Sequence, residues 1–237
     1  METAGYTVLS RQTGLMRELQ LIANNVANAN TTGYRQQGLI FSEYIRETGR
    51  GGSVSMSAAH VRDSSFAQGA ITRTGAALDL AIEGEGFFLV QTPAGERLTR
   101  NGAFTTSAQG DLVTHDGYPV LSAGGGPVFV PPGAADLAVA RDGTLSSGGQ
   151  PVGQIGLVRP PNPKDLEREG GTLFRAPGGT EPVDDPKIIQ GALESSNVDP
   201  ILQLARLIEV QRAYEMGQNF LDREDDRLKT AIKTLFT

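Results

Sequence analysis

The sequence predicts an α+β protein with a helix at each end, an extended connector and an antiparallel β-rich central domain. Apolar residues recur at helical spacing in the first and last segments, and turn signals recur at short intervals between them. The 30 glycines and 13 prolines likewise indicate many turns. We therefore divide the chain into segments 1–33, 34–74, 75–191 and 192–237.

The first element is an amphipathic helix predicted over about residues 4–27. Its apolar stripe, spaced by four, three and four residues, consists of Leu15, Leu19, Ile22 and Val26. Several asparagines and then Thr31-Thr32-Gly33 follow the stripe. Because asparagine competes for backbone hydrogen bonds and glycine accepts left-handed geometry, we expect the helix to stop there.

The middle of the chain is expected to be extended and then β-rich. Residues 34–74 carry weak signals around a flexible Gly51-Gly52 pair, which indicates a connector with little core of its own. From residue 78 to 191, short apolar runs alternate with turn signals such as Asn101-Gly102. Turns at this spacing favour antiparallel hairpins, because parallel strands need longer crossovers. We also expect a single helical turn at residues 166–169.

The last segment carries the strongest helical signal in the chain. Asp199 is a suitable N-cap, and Pro200 occupies the first helical position, where proline is favoured. A heptad repeat follows, formed by Leu207, Tyr214, Leu221, Leu228 and Leu235. A helix ending at Leu235 would be roughly 50 Å long. We predict that it forms a coiled-coil-like module with the N-terminal helix.

Two amphipathic terminal helices favour assembly. An isolated amphipathic helix is marginal in water. Burying the five heptad residues contributes on the order of 10 kcal/mol before ordering costs, but only against a partner face. The N-terminal helix supplies one such face and leaves the outer flanks half exposed, so we expect stacking on other copies. Head-to-tail repetition would give a ring or a rod. The alternative is an ordinary monomer whose helices cap the β-domain.

Composition excludes several classes of function. A net charge of -6 argues against nucleic acid as a partner. The absence of cysteine removes thiolate catalysis and cysteine-based zinc sites. The two histidines, His60 and His115, have no accompanying ligands or nucleophile, so we predict no metal site and no catalytic site. The sequence contains no run of 18 apolar residues, so we predict no membrane insertion. The first residues lack the pattern of a signal peptide.

Motifs spread along nearly the whole chain resemble the rod-hook family of bacterial flagellar axial proteins. The matching stretches are residues 22–35, 78–88, 98–104, 191–199 and 209–216. The residues that carry the terminal motifs are Asn24, Asn25, Asn28, Thr32, Gly33, Tyr34, Asn197, Gln211, Arg212, Tyr214 and Glu215.

The resemblance implies a structural, non-enzymatic subunit of the flagellar basal-body rod that binds no cofactor. It implies that terminal helices stack into an inner tube, that the rod spans the periplasm and that it transmits torque. The implied partners are other copies, neighbouring rod subunits and the flagellar type III export apparatus, which exports without a cleaved signal peptide. The assembly interface is expected to comprise the stripe and heptad residues named above.

The sequence leaves alternatives open for the position of the subunit along the rod and for the class of function. The short length and compact connector favour the proximal segment, whereas a distal rod subunit usually carries a somewhat longer connector. A distal or other axial subunit of the same family is therefore the first alternative. From another class, a β-rich ligand-binding module on a helical stalk fits the pattern, and a glycosidase with paired carboxylates is more remote.

Overall fold

The chain forms two compact units, each assembled from separate stretches of sequence. The computed structural model describes residues 2–48, 52–134 and 136–235, with side chains for residues 7–39, 64–134 and 136–234. The helical unit comprises Met1–Ala27, Gln37–Ser65 and Asp199–Thr237. The β unit comprises Asn28–Gln36 and Phe66–Val198.

Two long helices dominate the helical unit, at the positions predicted. Helix α1 spans Glu2–Ala27 and helix α2 spans Pro200–Leu235. The Asp199 carboxylate accepts hydrogen bonds from the backbone N–H groups of Ile201 (2.9 Å) and Leu202 (3.1 Å), so the predicted N-cap is confirmed. The helices run antiparallel. Gln12 of α1 contacts Tyr214 of α2, whereas Glu18, which comes later in α1, contacts Arg206, which comes earlier in α2.

A long antiparallel strand pair completes the helical unit. Strands β1 (Gln37–Thr48) and β2 (Gly52–Ser64) pair with Gln37 opposite Ser64. Both strands contact α1. The strand pair lies in the segment for which we predicted an extended connector.

The β unit is a set of short antiparallel strands, as predicted. The strands are β3 (Ile71–Arg73), β4 (Leu80–Ile82), β5 (Phe87–Thr92), β6 (Gly95–Thr99), β7 (Phe104–Thr106), β8 (Leu112–Thr114), β9 (Leu137–Val139), β10 (Thr144–Ser147), β11 (Gln150–Gln154), β12 (Leu157–Arg159), β13 (Glu167–Gly170), β14 (Leu173–Arg175), β15 (Glu181–Pro182), β16 (Ile188–Gln190) and β17 (Ala192–Glu194). The largest sheet has six strands in the order β13-β14-β6-β5-β12-β15.

The expected helical turn at residues 166–169 is wrong. A 3-10 turn lies earlier, at Pro163–Asp165, where Asn162 caps it by accepting a hydrogen bond from the Lys164 N–H. Proline suits the first helical position, which explains the earlier start. Residues 167–170 instead form strand β13, which pairs with β14 across a tight turn.

The last strands of the β unit pair with its first strands. Strand β16 pairs with β4, and β17 pairs with β3, both antiparallel. The main core of the unit includes Leu80, Ile82, Phe88, Leu112, Leu145 and Ile188, all at most 2% exposed. The strand pairing thus brings the end of the β unit, at Glu194, beside its beginning.

Replacing Asp199 by alanine should destabilise α2 by about 1 kcal/mol, because two N–H groups of the first turn lose their acceptor. Hydrogen exchange of the amides of residues 201 and 202 measures this directly. Asp222→Ala, an exposed change in the body of the same helix, is the matched control. Equal exchange in the two variants would contradict the capping role.

Candidate functional site

The two terminal motifs meet within the β unit. The Gly33 N–H donates to the Glu194 carbonyl oxygen at 2.7 Å, and the Asn197 N–H donates to the Tyr34 carbonyl oxygen. The Gln36 N–H donates to Asn197 Oδ1 at 2.6 Å. Residues far apart in sequence therefore form one hydrogen-bonded site, which we call the motif junction.

A buried carboxylate with two arginine partners lies at the centre of the motif junction. Glu194 is 0% exposed. Its two oxygens lie 2.7 Å from an Arg35 nitrogen and 3.1 Å from an Arg100 nitrogen. The Gly69 N–H also donates to Glu194 Oε1 at 2.9 Å. Three separate stretches of the β unit thus depend on one charge, since a buried charge is tolerated only when it is paired.

Burial shifts the pKa values of both arginines that pair with Glu194. Burial lowers the pKa of Arg100 from its ordinary value to about 10, and the nearby Glu194 charge opposes the shift. Burial also lowers the pKa of Arg35, again opposed by Glu194. The second nitrogen of Arg100 donates to the Gly84 carbonyl oxygen at 2.6 Å. Arg100 therefore links the carboxylate to a turn of the β unit.

A third arginine holds the tyrosine of the N-terminal motif. The Arg168 guanidinium lies 4.5 Å from the Tyr34 ring centroid and 4.6 Å from that of Phe174, so it is stacked between two aromatic faces. It also donates to the Arg35 carbonyl oxygen at 2.6 Å. Burial raises the pKa of the Tyr34 hydroxyl, and the Arg168 charge opposes that shift. The stacking fixes residues 34 and 35 against the sheet strand that carries Phe174.

Gly33 satisfies two requirements that no other residue meets. Its φ of 68° lies in the left-handed region. A Cβ atom there would lie 2.4 Å from the backbone carbon of Arg100 and from the backbone nitrogen of Asn101. The glycine therefore allows the N-terminal motif to approach the backbone that precedes the Asn101-Gly102 turn.

A second polar cluster lies inside the helical unit. Asn25, 1% exposed, donates to the Gln37 carbonyl oxygen at 2.8 Å and accepts from the Gln37 N–H at 2.9 Å. Its amide nitrogen also lies 3.2 Å from Gln203 Oε1, on α2. Asn25 thus links the end of α1 to β1 and to α2.

Polar contacts join α1 to α2, the two helices that carry the predicted interface residues. Gln12 Nε2 donates to the Tyr214 carbonyl oxygen at 2.9 Å, and Glu18 pairs with Arg206 at 2.9 Å. Ile22 is buried, and Leu228 is 51% exposed. The half-buried members of the set are Leu15, Leu19, Val26, Leu207, Tyr214 and Leu221. The side chain of Leu235 lies outside the described residues.

The remaining motif residues make local contacts or are exposed. Asn28 Oδ1 lies 3.1 Å from Thr31 Oγ1 at the end of α1, as expected of a residue that terminates a helix. Asn24 is exposed and Thr32 is half-buried. On α2, Gln211 donates to the Glu215 carboxylate at 3.1 Å, and Arg212 is exposed.

Sequence reasoning missed two groups of residues. The first is Glu194 with Arg100 and Arg168; a glutamate in the short strand Ala192–Glu194, on the same face as a buried alanine, was the available signal. The second is an exposed apolar stripe on α2 formed by Ile201 (79%), Leu204 (48%) and Ile208 (52%). Its spacing of three and four residues is helical but lies outside the heptad.

Two further features were sought in the described part of the chain, a cluster of metal-ligating side chains and a helix able to span a membrane. The histidine, aspartate and glutamate side chains of the described residues form no group of three that would hold a metal ion. Neither of the two described α-helices combines the length and apolar character needed to cross a membrane.

Replacing Glu194 by glutamine should lower the free energy of unfolding by about 3–5 kcal/mol, because two buried arginines lose their counter-charge. Urea denaturation measures the change. Glu181→Gln is the control, since that exposed carboxylate lies 3.9 Å from Arg159 and should contribute less than about 1 kcal/mol. A loss at Glu194 no larger than at Glu181 would show that the buried charge is dispensable.

Replacing Gly33 by alanine should destabilise the β unit more than the same change at Gly75. Both glycines have positive φ, 68° and 79°, but nothing lies within 4 Å of a Cβ built at Gly75. Gly75→Ala therefore reports left-handed strain alone, about 1–2 kcal/mol. Gly33→Ala adds a backbone clash worth about 1–3 kcal/mol more. Thermal unfolding of both variants tests the difference, and equal losses would refute the close approach.

Known protein families match the chain at both ends and in the middle. Residues 3–35 match the family described as flagella basal body rod protein, and residues 189–234 match the flagellar basal body rod FlgEFG protein C-terminal family. Residues 81–147 match the flagellar hook protein FlgE/F/G D1 domain. The matches at the two ends include both halves of the motif junction.

The chain is similar over nearly its whole length to flagellar basal-body rod proteins. A flagellar basal-body rod protein FlgF of Caulobacter vibrioides is 42% identical over 99% of this chain and 98% of its own length. A FlgF of Mesorhizobium japonicum is 39% identical over the same shares, and a flagellar basal-body rod protein FlgG of Bacillus subtilis is 30% identical over 96% and 97%. With this identity over almost the whole of both chains, the chain belongs to the family of flagellar basal-body rod proteins.

Proposed function

We propose that this chain is a structural subunit of the proximal flagellar rod, which polymerises through its terminal helices and transmits torque. It assembles with other copies and with neighbouring rod subunits in the periplasm, after export by the flagellar type III apparatus without a cleaved signal peptide. The identity to relatives named FlgF, 37–42% over nearly full length, exceeds the 30–32% to relatives named FlgG and supports the proximal assignment.

The distribution of exposed apolar residues carries this proposal. Of the eleven large hydrophobic side chains exposed in the described part of the chain, ten lie on the two helices. They are Leu9, Met16, Ile201, Leu202, Leu204, Ile208, Met216, Phe220, Leu228 and Ile232. Each such side chain gains about 1.5–3 kcal/mol when it is covered. An exposed apolar surface of this extent is typical of a protein that packs against others.

In this proposal, most of the predicted interface residues shape the helix surface, and two of them contact neighbouring subunits. Ile22 is buried and Leu15, Leu19 and Val26 are half-buried, so in this proposal they shape the surface that α1 and α2 present together. Leu207, Tyr214 and Leu221 act in the same way on α2. Leu228, half exposed, and Leu235 are expected to contact neighbouring subunits directly.

Torque transmission requires a subunit that resists deformation. The β unit closes on itself through the β3–β17 and β4–β16 pairs, and Glu194 ties its first and last segments together. A paired, buried charge tolerates little displacement, because a gap would leave it unsatisfied. These contacts support a mechanical role.

One observation favours a ligand-binding β module. A cavity of about 550 Å³ in the β unit is lined by Phe66, Phe87, Pro160 and Arg100 among others. That size suits a small ligand. A strain that lacks this protein would swim normally under this alternative, whereas a rod subunit is needed for motility.

Replacing Ile208 by glutamate should abolish motility and remove the subunit from purified basal bodies, because it places a charge in the exposed stripe of α2. Since Ile208 is 52% exposed, the melting temperature of the free subunit should not change. Complementation of a deletion strain with the variant measures motility and incorporation. Asn219→Glu, which adds a carboxylate at an exposed polar position of α2, should support swimming. Normal rods that contain the Ile208 variant would argue against helix-mediated assembly.

A further inference from the structure

The cavity of the β unit is lined by both arginines that pair with Glu194. Its volume is about 550 Å³, and all the residues that line it belong to the β unit. Arg35, Phe87 and Arg100 are 1%, 5% and 4% exposed, so they form its inner wall. Glu85, which is exposed, lies at its mouth. The inner wall is therefore cationic and aromatic.

Positive charge exceeds negative charge behind this inner wall. The motif junction contains three arginines, Arg35, Arg100 and Arg168, but its ion pairs use one carboxylate, that of Glu194. The Nε atoms of all three arginines are buried and have no acceptor among the described residues. Since a buried charge is tolerated best when it is paired, the described chain supplies less negative charge than these cations can use.

The titration of Arg100 shows the same imbalance. The positive charge of Arg35 adds to the effect of burial and lowers the pKa of Arg100, whereas the carboxylates of Glu194 and Glu85 raise it. An anion in the cavity would act in the same direction as these carboxylates. The cavity therefore favours a negatively charged occupant over a neutral one.

The rest of the cavity wall is largely apolar. Phe66 packs edge-on against Phe87, with ring centroids 6.3 Å apart. Three prolines complete this side of the wall, Pro160, Pro161 and Pro163. A cavity of this size and lining suits an organic molecule. An inorganic anion would leave most of the apolar wall without a contact, so the occupant needs an apolar body.

The turn that carries Glu85 is held from two sides. The Gln68 side chain donates to the Ile82 carbonyl oxygen at 2.7 Å and accepts from the Gly84 N–H at 3.0 Å. Arg100 donates to the Gly84 carbonyl oxygen at 2.6 Å. These bonds fix one side of the mouth. A wall that is fixed in advance lowers the cost of ordering the site around a ligand.

We propose that this cavity binds a small organic carboxylate whose body is apolar, such as an aromatic acid. The two arginines of the inner wall exceed Glu194 by one charge, which a single carboxylate balances, and the planar carboxylate matches the guanidinium group. The apolar body packs against Phe66 and the prolines. The inference goes beyond the proposed function and does not depend on it, because the cavity lies within the β unit.

Calorimetric titration of the purified full chain tests the site. The first probe is N-acetylphenylalanine, which joins an aromatic ring to one carboxylate, and the second is its amide, which has the same body without the charge. We expect the carboxylate to bind at a single site and about tenfold more tightly than the amide, because charge-assisted hydrogen bonds to arginine are strong. Titration with 2-naphthoate and 2-naphthamide repeats the comparison on a different body.

Two substitutions at the mouth should act in opposite directions. Arg159→Gln removes a cation of the cavity lining, 42% exposed, and should weaken carboxylate binding a few-fold. Glu85→Gln removes an exposed carboxylate of the lining and should strengthen carboxylate binding to a similar extent. Binding of the amide should change less in both variants. The matched controls are Arg141→Gln and Glu96→Gln, which are exposed outside the lining and should leave binding unchanged.

The mouth variants are preferred to a change at Arg100. Loss of Arg100 would leave the buried Glu194 carboxylate short of a partner and destabilise the β unit, so weaker binding could reflect unfolding. Arg159 and Glu85 are partly or fully exposed, and their variants should melt at the temperature of the unaltered chain.

Three results would overturn the carboxylate site. The first is the absence of saturable binding of both carboxylates at millimolar concentration. The second is equal affinity for a carboxylate and its amide, which would show that the arginines play no part. The third is binding that the mouth variants and their controls change alike, which would put the probe elsewhere on the chain. The proposed function is tested separately, by the motility and incorporation of the Ile208 variant.

Discussion

The burial of one carboxylate, that of Glu194, is the constraint on which the β unit depends. Its partners come from the N-terminal motif, through Arg35, and from the middle of the chain, through Arg100. A buried charge without its partners costs several kcal/mol, so the three segments form their contacts together or not at all. The Gly33 backbone and the Arg168 stack then hold the N-terminal motif in the position that this charge requires. The two ends of the β unit are therefore joined by electrostatics as well as by strand pairing.

Local signals predicted the helices, and long-range contacts account for most of what the sequence did not reveal. Helix α2 begins at Pro200 and ends at Leu235 as predicted, because its cap and its apolar repeat act within a few residues. The pairing of β3 with β17 joins segments about 120 residues apart, and no short pattern encodes it. For the same reason the motif residues Tyr34 and Asn197 could be named from the sequence, but their mutual contact could not.

The helices of a free subunit carry two kinds of apolar surface. The heptad residues Leu207, Tyr214 and Leu221 of α2 are half-buried, and this is one surface that heptad spacing detects. The other surfaces, including Ile201, Ile208, Leu228 and Ile232, are exposed in the described chain. Helical periodicity alone does not distinguish the two, because it reports which residues share a face and not what covers that face. Under the proposed function, assembly gives these exposed residues the burial that one chain does not supply.

Electron cryomicroscopy of basal bodies from the organism that makes this protein tests the central claim most directly. The account predicts that each copy keeps its antiparallel α1–α2 pair, and that Ile208, Leu228 and Ile232 are covered by neighbouring subunits. A map that shows these three side chains still facing solvent in the finished rod would contradict it.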